Sequence, residues 1–377
     1  MRFVIEALGL KTAGGQGLGL NFLSRLRQFD QHQFVLFLPL QPQYAHLSAP
    51  NVRCIYYAGP WNLFSRYRAL HRILPRICAQ HRSDALLCLG NFAPHRAPCP
   101  TAVLIQNAYL VYEEPIARQR MTVREKLICA YGRINLQRLP NQVQIVVQTP
   151  VMRARLLSQR PLNPERITII PAPSALSESS ADSVASPPPQ LPEGTRPFTF
   201  LCLARYYAHK NLEILPEALK KLSALTSRPF RCLITISASQ HPGARKMLGL
   251  IGKQSVRHVL VNLGQVSRHA IAAVFQSADA LILPTLLESY GCVYSEAMRF
   301  GIPILTSDRD FGRYLCRDAA LYFDPLDAES VASKMAAVMS SSDLRLRLVR
   351  EGCRILSELP NWDEIAAQFV AVLERFR

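Results

Sequence analysis

The stretch DALILPTLLESYGCVYSEAMRFGIPILTS, residues 279–307, decides the fold. DALILPT is a short apolar run that ends in proline, which stops a strand. Leu286–Gly291 must then turn, with Ser289 and Gly291 suited to the turn. VYSEAMRF reads as a helix until Gly301 caps it and Pro303 opens the strand PILTS. The same alternation runs outward in both directions. PFTFLCLA, RCLITISA and HVLVNLG read as strands, and NLEILPEALKKLSAL, AIAAVFQSA and ESVASKMAAVMS as helices. In the first half RFVIEAL, QFVLFLP, ALLCLG, TAVLIQN and QIVVQT are apolar runs separated by longer amphipathic or polar stretches. Such alternation predicts parallel sheets covered by helices, an α/β chain of two doubly wound domains with a cleft between them.

The expected boundaries follow from composition. Residues 1–173 form a first domain, and the Ser/Pro-rich stretch 174–196 lacks periodicity and reads as a linker. Residues 197–358 form a second domain, and 359–377 a last amphipathic helix. With 377 residues, 49% hydrophobic and 19% charged, the chain has the composition of a globular protein with a large core. No run of about 18 apolar residues predicts a membrane span, and MRFVIEALGL reads as a first buried strand, not a signal peptide. The ten cysteines form no CxxC pair and the nine histidines no HExxH, so no metal site is expected. Several cysteines sit inside apolar runs and read as small buried hydrophobes of a reducing compartment. The net charge of +17 is uneven. Met1–Pro173 carries 21 Lys/Arg against 7 Asp/Glu, and the remainder 23 against 20. The first half is therefore the side expected to meet an anionic partner.

Glu288 lies in the strand-to-helix loop and Glu296 in the helix that follows, at the sheet edge where open α/β folds bind ligands. A carboxylate does not bind phosphate but accepts hydrogen bonds from hydroxyls. The backbone N–H groups of Tyr290, Gly291, Cys292 and Val293, beside Ser289, face an anion at a helix N-terminus. Hydroxyl acceptors flanking anion donors suit a nucleotide sugar. The simpler alternative is that Glu288 caps the helix and Glu296 is solvated.

The surroundings favour the first reading. LPTLLESYGCVYSEAMRFGIPILTSD closely resembles the C-terminal motif of retaining GT-B glycosyltransferases of family 4, P-[ST]-x-x-E-[GS]-[FY]-G-x4-E-A-M-x2-G-x-P-[VI]. FLCLARYYAHKN supplies Arg205 and Lys210, where family members carry GRxxxxKN or GRxxxxKG; Ala204 replaces the usual glycine. GQVSRHAIAAVFQSADALILPT is similar to another family segment and makes Gly264 and Val266 candidates near the nucleobase. Gly14 and Gly15 match the family's Gly-Gly loop near the donor diphosphate. The resemblance implies two Rossmann-like domains facing a cleft, with the C-terminal helix returning to the first domain. It further implies a retaining, metal-independent transferase with no cofactor beyond the nucleoside-diphosphate sugar, UDP- or GDP-linked, as co-substrate. Arg205, Lys210 and Glu288 become catalytic candidates and Glu296 the ribose ligand. Two positions depart from the family. Gln106 and Asn107 stand where many members place a histidine, with His95 as a substitute, and Tyr314 stands where a glutamate is frequent. The DxD of Asp308 and Asp310 reads as loop structure.

WNLFSRYRALHRILPRICAQHR, residues 61–82, mixes aromatics, leucines and arginines at helical spacing, and residues 118–138 add a second basic stretch. Either this is a helix packed on the sheet with a solvated basic face, or it docks on anionic lipid at the inner face of the cytoplasmic membrane. In the second case the acceptor is a glycan or lipid-linked sugar of cell-surface polysaccharide synthesis. A catalytically silent nucleotide-sugar-binding subunit stays open as an alternative. A nucleic-acid-binding protein also remains, although no recognition motif accompanies the charge, and no nucleic-acid partner is expected.

Overall fold

The computed structural model describes residues 1–10, 13–60, 62–172, 196–253 and 256–376. Apart from Arg196, the expected linker 174–196 lies outside the described residues, as does Trp61. The chain divides into two units. One comprises Met1–Glu113, Thr122–Ala175 and Pro360–Arg377, the other Glu114–Met121 and Leu176–Leu359.

The described residues of the first unit form a parallel sheet of β1 (Arg2–Glu6), β2 (Gln33–Pro39), β3 (Val52–Tyr57), β4 (Ala85–Cys88), β5 (Thr101–Ile105), β6 (Gln144–Val147) and β7 (Ile167–Ile169). They lie in the order β3-β2-β1-β4-β5-β6-β7. Central strands read as continuous apolar runs because helices cover both faces of a parallel sheet: Phe3, Val4, Ile5, Leu36, Leu86 and Val103 are all buried. The sequence reading finds five of these strands. It misses β3, an edge strand whose exposure is mixed, and β7, which is three residues long.

Residues 63–80 follow the amphipathic pattern as a helix with a wide turn at Ala69–Ile73, just before Pro75. Proline has no N–H and clashes with the preceding turn, which accounts for the local widening. Ala69, Leu70, Leu74 and Ile77 face inward, while Phe64, Tyr67, Arg68, Arg72 and Arg76 are exposed.

The C-terminal helix Trp362–Glu374 groups with the first unit, started by a capping box of Asn361 and Glu364. Phe369 packs on Phe22 with ring centroids 4.7 Å apart. Arg25 reaches Asp363 at 2.7 Å, and His32 reaches Glu374 at 2.8 Å. Burying Phe369 and Leu373 together contributes about 3–6 kcal/mol, more than the partly exposed Arg25–Asp363 ion pair, which is worth about 1 kcal/mol or less.

In the second unit the described strands are β8 (Phe198–Cys202), β9 (Phe230–Ile234), β10 (Leu260–Asn262), β11 (Ala280–Leu283), β12 (Ile304–Ser307) and β13 (Ala320–Phe323). Their order is β10-β9-β8-β11-β12-β13, all parallel. This is the 3-2-1-4-5-6 order of the doubly wound nucleotide-binding fold, and its direction of winding reverses between β8 and β11. Thr199 and Arg196 tie down the start of this pair. Arg196 grips the Asp279 carboxylate with both terminal nitrogens, at 2.8 and 2.7 Å, and the Thr199 N–H donates to the same carboxylate at 2.7 Å.

Candidate functional site

At the reversal of the second sheet, the loops leaving β8 and β11 must diverge, and the residues just past both strands share one crevice edge. Past β8 the chain carries Arg205 and then the turn Ala208–Lys210. Past β11 it carries Thr285, Leu287 and Glu288. The His209 carbonyl joins the two loops, accepting from the Leu286 N–H at 2.8 Å and the Thr285 hydroxyl at 3.3 Å. This stitch brings the Lys210 ammonium onto the Glu288 carboxylate as an ion pair. Two candidates 78 positions apart in sequence are thus in direct contact.

The side chains of this pair are only 14% and 9% exposed. Burial pushes the Glu288 carboxyl up, but Lys210 outweighs it through charge and hydrogen bond, with help from Thr285, and holds it below its ordinary value. Burial and the adjacent Lys210 lower the His209 ring to about 3. His209 is therefore neutral at physiological pH and leaves the positive charge to Lys210. An ammonium has three donors, so Lys210 can hold Glu288 and still offer hydrogen bonds to an anion. Among the described residues, no hydrogen-bond or ion-pair partner occupies the Arg205 guanidinium. The loop therefore presents a second cation.

Gly291, at φ 72° and ψ 58°, ends the loop and starts the helix Cys292–Arg299. A Cβ there would meet the Tyr294 ring at 2.8 Å, so both the backbone angle and the packing call for glycine. Tyr294 is buried, and its hydroxyl lies 2.7 Å from that of Thr306 on β12, which anchors the helix to the sheet. Without a side chain at its cap position, the helix opens directly onto the loop that carries Glu288. Neither simple reading of the glutamates holds: Glu288 does not cap this helix and Glu296 is buried, 5% exposed, not solvated. Tyr290 is buried, while Ser289, Cys292 and Val293 are half-buried around the turn.

The remaining candidates lie elsewhere. Gly264 takes φ 72° and donates to the Asn262 side chain at 3.2 Å. It and the half-buried Val266 follow β10, the edge strand two places from β8. In the first unit, Gly14 and Gly15 belong to the first turn of the helix Ala13–Leu23, not to a loop. Gly19 of that helix is closely packed, since an added Cβ would come within 2.7 Å of the end of the Leu10 side chain.

The Gln106 side chain donates to the Leu89 carbonyl at 2.9 Å, and the Asn107 side chain caps the turn Ala108–Leu110. Their backbone N–H groups both bind Asn91, at 2.6 and 2.7 Å, so these two residues shape the loop after β5. His95 stacks on His71 with ring centroids 4.6 Å apart, and His71 contacts the Tyr131 hydroxyl at 2.8 Å. Burial, reinforced by Arg138, lowers the His95 ring, so it stays neutral. Asp308 is held by Arg313 through two hydrogen bonds, 2.7 and 2.8 Å, and Tyr314 is exposed.

Sequence reasoning missed Thr285 and His209, whose roles run through a hydroxyl and a carbonyl that no spacing rule marks. It also missed Glu6, buried at the end of β1 and pushed up to about 7 by burial. Glu6 accepts from the Leu8 N–H at 2.7 Å and lies against Gly90, where the first sheet reverses between β1 and β4. An acid inside an otherwise apolar strand is the signal that could have found it.

Two parallel sheets of this order, each reversing beside its first strand, make up the GT-B fold, and this chain has that fold. Residues 187–354 match the family described as glycosyl transferases group 1. A phosphatidyl-myo-inositol mannosyltransferase of Mycobacterium tuberculosis is 31% identical over 184 residues, 47% of each chain. The chain spans less than half the length of the curated relatives it matches. A glycosyltransferase structure from Rickettsia africae aligns with TM-score 0.71 at 14% identity, covering 100% of this chain and 98% of that one. The Anabaena HepE structure, a complex with UDP and glucose, aligns with TM-score 0.70 at 12% identity over 99% of both chains.

Proposed function

We propose that this protein transfers a sugar from a UDP- or GDP-linked donor to a glycan or lipid-linked acceptor, with retention of configuration and without a metal ion. The observation that carries the reading is the Lys210–Glu288 ion pair, where the second sheet reverses direction. Lys210 and Arg205 stabilise the negative charge that develops on the departing diphosphate and is fully present on the free diphosphate. Glu288 and the backbone after Tyr290 hold the donor sugar, and Glu296 the ribose hydroxyls. The leaving phosphate takes the acceptor's proton as the new bond forms on the same face.

The matched mannosyltransferases make mannose, UDP- or GDP-linked, the first sugar to test and phosphatidyl-myo-inositol the first acceptor. Exposed Phe64 and Tyr67 beside Arg68, Arg72 and Arg76, and exposed Val123 and Leu127 beside Arg124 and Lys126, support docking on anionic lipid. Among the described residues no helix is long and apolar enough to cross a membrane. The proposed location is the inner face of the cytoplasmic membrane.

The test is donor hydrolysis across UDP-, GDP- and dTDP-sugars with EDTA present, the anomer of the product being read by NMR. Release of a nucleoside diphosphate from at least one donor is expected. No release from any donor, a strict divalent requirement or an inverted product would each count against the corresponding part of the reading.

A further inference from the structure

We propose that Arg120 is a positioning residue for Lys210, an inference that rests on the donor chemistry proposed above. Lys210 closes a short turn, and the next residue, Asn211, sits in the left-handed region at φ 54°. For a residue other than glycine this conformation persists only where its surroundings fix it. Asn211 is 2% exposed, and both ends of its amide are engaged. Its Oδ1 accepts from Arg120 Nη1 at 2.8 Å, and its Nδ2 donates to the Pro325 carbonyl at 2.7 Å.

The same Arg120 nitrogen donates to Glu213 at 3.1 Å, and the other Glu213 oxygen accepts from the Tyr206 hydroxyl. Tyr206 is stacked on His241 at 5.2 Å. On the other flank of Lys210, the His209 carbonyl is held by Leu286 and Thr285. The ammonium is therefore aimed by a backbone bracketed on both sides, and Arg120 supplies the charged part of one bracket. Arg120 comes from Glu114–Met121, a segment that the chain inserts between two stretches of the first unit yet that groups with the second. With a third of its side chain exposed, Arg120 can be truncated without opening a core cavity.

Arg120 acts through Asn211, so its loss should affect the diphosphate and not the nucleoside. Titrations of UDP, GDP, uridine and guanosine into wild type, Arg120→Ala and Arg120→Lys test this. Arg120→Ala should weaken the preferred diphosphate about tenfold, as expected for one misplaced charged hydrogen bond. Binding of the matching nucleoside should change less than about twofold, and Arg120→Lys should recover part of the loss. In a Lys210→Ala background the Arg120 substitution should have no further effect. Asn211→Gly, which keeps the left-handed backbone and removes both side-chain bonds, should repeat the loss should Arg120→Ala fold poorly.

Unchanged diphosphate binding, equal losses for nucleoside and diphosphate, or a full additional loss in the Lys210→Ala background would each overturn the inference. If wild type binds neither diphosphate, the donor reading itself fails, and this inference with it. That outcome is told apart because it appears before any substitution is made.

Discussion

Lys210→Ala separates the two roles of the ion pair, stability and charge stabilisation. Glu288 is 8% exposed, and in the wild type Lys210 holds its carboxyl below the ordinary value against burial. A group lowered in this way adds stability that is present above its unfolded pKa of about 4.3 and is lost as pH falls through the folded value. Removing Lys210 leaves burial as the dominant influence and reverses the sign. The mutant is then relatively most stable below the unfolded pKa and loses stability as pH rises.

The gap between mutant and wild type should therefore widen from pH 5 to pH 8. Stranding one charge of a buried pair costs about 3–5 kcal/mol, and since proton uptake relieves the stranded charge, the lower end, about 3 kcal/mol at pH 8, is expected. Adding Glu288→Gln should recover much of that. Both tryptophans, Trp61 and Trp362, lie outside residues 176–359, so urea unfolding is best followed by far-UV circular dichroism. Turnover should fall about 10- to 150-fold, from the 1.5–3 kcal/mol of a charged hydrogen bond. A stability gap that does not change with pH, or no recovery in the double mutant, would refute the electrostatic account. Near-normal turnover would remove Lys210 from the mechanism.

Two further substitutions test the frame around the sites. Gly291→Ala places a Cβ at φ 72° against the Tyr294 ring; a loss of about 1–3 kcal/mol, from backbone strain and overpacking, should appear in urea midpoints. In the first unit, Glu6 titrates at about 7, raised above its unfolded value, so its stability contribution is full below about pH 4.5 and is lost as pH rises through 7. Glu6→Gln should therefore become stabilising relative to wild type between pH 5 and pH 8, by up to about 3 kcal/mol at about 1.4 kcal/mol per pKa unit. A flat difference across that range would show that burial does not govern Glu6.

Most of the architecture was legible because parallel strands covered on both faces are apolar at most positions, and β1, β2, β8 and β11 read that way despite Glu6 in β1. Edge strands escape this rule. β3 is partly exposed, and β13, ALYF, has two half-buried positions, so neither forms a long apolar run. The grouping of Glu114–Met121 with the second unit was not legible, because its cause is a set of contacts to Asn211 and Glu213 more than ninety positions away. The glycines illustrate a related limit. Gly14 and Gly15 resemble a loop by type alone, whereas Gly291 is required by a left-handed backbone and a neighbour, Tyr294, that only the fold supplies.

The Lys210–Glu288 contact shows how far a local motif reaches and where topology must take over. Each half of the site is local: a cation eight residues past β8, and an acid five residues past β11. Nothing within either stretch says that they meet. They meet because β8 and β11 are neighbours, with Ala280 beside Phe200 and Leu281 beside Leu201, although two strands intervene in sequence. That adjacency arises where the winding of the sheet reverses, which is also where the covering helices separate and leave the strand ends open. The same reversal that builds the crevice therefore delivers the cation and the acid to it. By the same logic the first sheet, reversing between β1 and β4, carries its own buried acid, Glu6, at the corresponding place.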